Sequence, residues 1–140
     1  MNDTWFADIE PYVFTYCKYN LADKDGAKFP DLYCTTADER LPTRLPAVSI
    51  REISQKERGQ DLDNADVNAV LSTFEVKAYA LTDEECRAIS SASAVLMKEL
   101  RFNAISMPIY DMEENLYASY ARYRRIIGAG DTDITSWRGY

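Results

Sequence analysis

The side chains best able to do chemistry fall in two places. Asp61-Leu62-Asp63-Asn64-Ala65-Asp66 gathers carboxylates into one short run, the raw material for a divalent-cation site or for metal-assisted hydrolysis. A calcium loop of the EF-hand kind needs oxygen ligands at its first, third and fifth positions, glycine at its sixth and glutamate at its twelfth. Counting from Asp61, those last three places hold Ala65, Asp66 and Ser72, so the motif fails. A hydrolase working through Asp61, Asp63 and Asp66 then stands against the commoner use of such residues, a solvated loop. The second place is Arg122, Arg124 and Arg125. On a strand, Arg122 and Arg124 share one face with Tyr120, and Tyr117 shares the other with Tyr123. Three readings follow: a nucleic-acid site, a cationic face for an acidic subunit or partner, or a solvated outer face.

Other chemistries lack their residues. The chain has no histidine, which removes imidazole-dependent triads and most catalytic zinc sites. Gly128-Ala129-Gly130 follows a strand, but no helix-forming stretch comes after it to meet a phosphate. Cys17, Cys34 and Cys86 are an odd count without CxxC spacing, which fits buried apolar thiols in a reducing compartment. No catalytic residue, cofactor or metal is therefore assigned.

The elements that must position these residues come from a chain of 140 residues, 46% hydrophobic and 28% charged, enough for one domain with its own core. The net charge of -7 disfavours phosphate binding as the main activity. That charge is segregated: residues 116–140 carry four arginines against two aspartates, a balance of +2, leaving -9 for the rest. No stretch approaches the roughly 20 apolar residues of a membrane span, and Met1 to Phe6 lacks the order of a signal peptide, so a soluble, unprocessed chain with no membrane partner is expected.

Ile9, Val13, Cys17 and Leu21 at helical spacing predict a first helix from Thr4, its N-cap, to Leu21. Pro11 either kinks this helix or marks the start of its regular part. Trp5, Tyr12, Tyr16 and Tyr19 give the same helix large side chains nearly all round, to be covered within the chain or by a neighbouring subunit. Short strands are expected at Asp31–Thr36 and Ala47–Ile53, and a clear one at Val70–Ala80, where Phe74, Val76 and Ala78 alternate with polar residues. Ser54 to Asn68 is hydrophilic throughout and reads as a long loop, functional or disordered. Thr82-Asp83-Glu84-Glu85 is a capping box opening a helix to about Arg101. Ile105–Asp111 and Leu116–Ile127 read as a strand pair, and the chain beyond Gly128 as extended. This order predicts an α+β fold, a mostly antiparallel sheet with two helices packed on one face. One domain spans 1–131, with a tail over 132–140.

Phe29-Pro30-Asp31-Leu32-Tyr33, Leu45-Pro46-Ala47-Val48-Ser49-Ile50-Arg51-Glu52, Glu57-Arg58-Gly59-Gln60-Asp61-Leu62-Asp63-Asn64 and Phe74-Glu75-Val76-Lys77-Ala78-Tyr79 follow one another at characteristic spacing. With Met97-Lys98-Glu99-Leu100, Arg101-Phe102-Asn103 and Tyr123-Arg124-Arg125-Ile126-Ile127-Gly128, the chain resembles the tail terminator or tail completion proteins of tailed bacteriophages. The resemblance implies a ring-forming subunit without an active site. Its partners would be copies of itself in a hexamer, the tail tube protein and a head-tail connector or stopper, with DNA met only in passage through the lumen. The resemblance transfers no residue roles. On physical grounds the contacts are expected at Trp5, Tyr12 and Tyr16 of the first helix, at Glu57, Arg58, Asp61 and Asp63 of the polar loop, and at Arg122 and Arg124.

Overall fold

The computed structural model describes residues 5–38, 42–60 and 67–135. The fold is α+β, as expected: a five-stranded, mostly antiparallel sheet with two main helices on one face. The strands are β1 (Tyr33–Thr35), β2 (Ala47–Gln60), β3 (Val67–Ala80), β4 (Asn103–Glu113) and β5 (Leu116–Gly128), in the spatial order β1-β2-β3-β5-β4. Only β1 and β2 run parallel. The helices are α1 (Ile9–Lys18), α2 (Asp83–Glu99) and a one-turn α3 (Thr132–Thr135).

Alternation along β3 sets the two faces of the sheet. Phe74, Val76, Ala78 and Ala80 turn to the helices and are buried there with Ile9, Val13 and Cys17 of α1 and Cys86, Ile89 and Met97 of α2. Each large side chain removed from water in this way contributes roughly 1.5–3 kcal/mol. Phe102, just past α2, closes one end by meeting the Phe74 ring edge-on at 5.3 Å. Thr82 Oγ1 accepts from the Glu85 amide at 3.2 Å and caps α2 as its sequence predicts. α1 is tied to the sheet by a carboxylate. Glu10 Oε2 accepts from the Glu52 amide at 2.8 Å, where a bulge in β2 between Glu52 and Ser54 leaves a backbone donor on the strand's outer edge.

Four expectations need correction. The first helix is segmented: Trp5–Asp8 is a 3₁₀ turn, α1 starts at Ile9, and Tyr19–Asp23 is a π turn. Pro11 occupies the third position of α1, where its missing N–H has no intrahelical role, and the predicted cap Thr4 lies outside the described residues. Residues 61–66 lie outside the described residues, but the rest of the expected loop Ser54 to Asn68 is strand: β2 continues to Gln60 and β3 begins at Val67, with Glu57 opposite Val70 and Arg58 opposite Ala69. Ladder pairing with β3 holds this stretch extended although its side chains carry no apolar period. From Gly128 to Thr135, as far as the described residues reach, the chain is not extended either: α3 follows, and Ile134 is fully buried in the core. Of the thiols, Cys17 and Cys86 are buried, whereas Cys34 is half-buried.

Candidate assembly surfaces

The face of the sheet turned away from the helices carries the basic residues. Register places Arg51, Glu75 and Arg122 in one row across β2, β3 and β5, with Lys77 and Tyr120 in the next. Glu75 is nearly buried at the centre and meets Arg122 at 3.2 Å and both Arg51 and Lys77 at 3.5 Å. Asp38 joins from the loop after β1, 2.8 Å from Lys77 and 3.3 Å from Arg51. The Lys77 hydrogen bond holds the Asp38 carboxyl below the usual carboxylate range. Burial alone would lower Lys77, but the Asp38 and Glu75 carboxylates outweigh it and raise its pKa.

One step along the strands the balance changes. Arg124 stands opposite Thr73, and Ile126 opposite Leu71. With Arg58 from the end of β2 and Arg101 from the turn between α2 and β4, they line an open groove of about 580 Å3. None of these three arginines forms an ion pair with a described carboxylate. Arg101 acts on Asp133 through space only.

Arg125 behaves differently, which corrects its expected place beside Arg122 and Arg124. Its side chain is buried, donating to the Leu100 carbonyl at 2.8 Å and to Asp133 at 2.9 and 3.2 Å, with Asp131 at 3.5 Å. The hydrogen bond from Arg125 holds the Asp133 carboxyl below its ordinary value. Arg125 therefore fastens α2, β5 and α3 together and is not available to a partner.

The first-helix aromatics are less free than their spacing suggests. Trp5 is 6% exposed and belongs to the core, with Phe6 edge-on at 5.8 Å. This overturns its expected place at an interface. Tyr12 and Tyr16 are half-buried and stacked at 6.3 Å, and the Tyr16 hydroxyl donates to Glu99 of α2 at 2.8 Å. Burial, aided by that carboxylate, pushes Tyr16 up to about 12. Glu57 and Arg58 are exposed on β2. Asp61, Asp63 and Asp66 lie outside the described residues. Among the described residues no group of His, Cys, Asp and Glu is arranged to hold a metal ion.

One surface escaped the sequence reading. Among the described residues β4 is an edge strand, paired only with β5, and it exposes Ile105, Met107, Ile109 and Met112, with Met107 at 73%. Two bulges, between Ala104 and Ser106 and between Ser106 and Ile109, interrupt its ladder, and Pro108 lies at the second. Bulges and proline blunt an edge against stray strand pairing, so what this edge offers is apolar side chains. The signal was present in the alternate Ile105, Met107 and Ile109 around a proline, but only pairing shows that no strand among the described residues covers them.

Comparison of the sequence with models of known protein families and with curated proteins returns no match. Among the described residues no helix is long and apolar enough to cross a membrane.

Proposed function

We propose that the chain is a structural assembly protein, a subunit of a hexameric ring that caps a phage-type tail tube, stops its polymerisation and joins the tail to a head connector in the virion. The observation that carries the assembly role is the inequality of the two sheet edges. β4 presents exposed apolar side chains, whereas the far end of β2 presents Gln55, Lys56, Glu57 and Arg58. Two unlike surfaces on opposite edges suit a head-to-tail contact, and head-to-tail contacts close into rings when the rotation per subunit permits. The tail-terminator part of the reading rests on the sequence resemblance.

The test is the size of the purified protein in solution and its effect on tube-protein polymerisation. Sixfold rings that shorten or cap tubes are expected. A monomer at high concentration that leaves tube length unchanged overturns the proposal. Rings that capture the connector but not the tube would reassign the protein as a head-tail stopper.

A further inference from the structure

We propose that the groove of Arg58, Arg101 and Arg124 is a binding site for a short acidic segment of a partner protein, one carrying an aliphatic side chain among its carboxylates. The proposal does not rest on the hexameric ring.

Three guanidiniums converge there from β2, the α2–β4 turn and β5, on a chain whose net charge is -7. Like charges brought together repel, and elsewhere on this face the protein answers them: Glu75 and Asp38 serve Arg51, Lys77 and Arg122. In the groove no described carboxylate forms an ion pair with Arg58, Arg101 or Arg124, and Asp133 reaches Arg101 only through space. Asp131 also lines it, but its carboxylate lies 3.5 Å from Arg125 and accepts from the Gly128 amide at 2.8 Å.

Arg101 adds an independent observation. It follows the C-cap of α2 with φ +67°, in a turn where the Arg101 amide donates to Lys98 O and the Phe102 amide to Met97 O, each at 2.9 Å. Glycine is the residue that turn favours, because it takes the left-handed conformation without a Cβ clash. An arginine there strains the backbone and gives the groove its third cation.

The floor decides the class of ligand. Leu71 and Ile126 face each other across β3 and β5, and Ile126 is 59% exposed. Single-stranded nucleic acid calls for aromatic platforms on which bases stack, and among the described residues no aromatic lines this groove. Aliphatic side chains between guanidiniums suit a peptide: arginines take carboxylates in paired hydrogen bonds while the floor takes a Leu or Ile.

The test is fluorescence anisotropy at low salt with three labelled probes of matched charge: a peptide alternating glutamate and leucine, polyglutamate, and a thymidine oligonucleotide. The glutamate-leucine peptide is expected to bind best, with polyglutamate about tenfold weaker and Arg124→Glu weakening the peptide by about tenfold or more. Arg101→Gly separates a binding role from a structural one, since it should raise the melting temperature and still weaken peptide binding several-fold. Absence of peptide binding, an oligonucleotide that binds more tightly than the peptide, or Arg101→Gly leaving peptide affinity unchanged would each overturn the proposal.

Discussion

Arg122 and Arg124 lie two residues apart on β5, on the same face of the sheet, and sequence alone gives no reason to treat them differently. Their neighbours across the ladder separate them. Arg122 stands opposite Glu75 and is drawn into a network with Arg51, Lys77 and Asp38, whereas Arg124 stands opposite Thr73 and opens onto the groove. A carboxylate at one register position turns a cation into part of the fold, and a hydroxyl at the next leaves it for a ligand. Identical side chains on one strand can thus serve stability and recognition, according to what faces them.

The largest effect is expected where neutralisation is most buried. Arg125→Ala removes the donor shared by Leu100, Asp131 and Asp133 and should cost about 3 kcal/mol, read from urea denaturation. A loss under about 1 kcal/mol would place Arg125 with the open arginines. Glu75→Ala comes next. It leaves Arg51, Lys77 and Arg122 facing one another without their central carboxylate, at a cost of about 2 kcal/mol.

The same contrast has a pH signature. The folded-state pKa of Asp133 lies below the ordinary 3.8, so its contribution is complete above that value and is lost as the pH falls through the folded value. Asp133→Asn should flatten the acid arm of the stability curve and leave the chain less stable at neutral pH. An acid arm of unchanged slope would show that the Arg125 contact does not carry this dependence.

Much of the frame was readable because burial leaves a periodic trace. Phe74, Val76 and Ala78 announce β3 by alternation, and Thr82 to Glu85 announce the start of α2 by capping chemistry. The polar half of β2 left no such trace, since Ser54 to Gln60 owe their extension to the ladder with β3 and not to their own side chains. β4 was legible as a strand but not as an edge, because strand order is a tertiary fact and Ile105, Met107 and Ile109 look like any half-buried strand until no described neighbour pairs there. Arg125 could be told from Arg124 by parity, but its partners Asp131 and Asp133 stand in and beside a one-turn helix where an extended tail was expected. The left-handed backbone of Arg101 could not be foreseen, because the residue in that turn is not the glycine that would mark it.

The smallest expected change in stability tests the contrast most directly. Thr73→Glu sets a carboxylate opposite Arg124, reproducing at that register position the pairing of Glu75 with Arg122. Cross-strand pairs of opposite charge contribute about 0.2–1 kcal/mol, so the variant should be slightly more stable than the parent, and its gain should shrink as salt is added. Its effect on the groove should be far larger, because the new carboxylate occupies the guanidinium that an acidic peptide would need, and peptide binding should fall by about tenfold. If Thr73→Glu gains stability while peptide affinity is untouched, Arg124 is a solvated cation like many others, and the difference between it and Arg122 is one of decoration. If affinity falls while stability holds or rises, the missing carboxylate at residue 73 is what keeps this end of the sheet open to a partner.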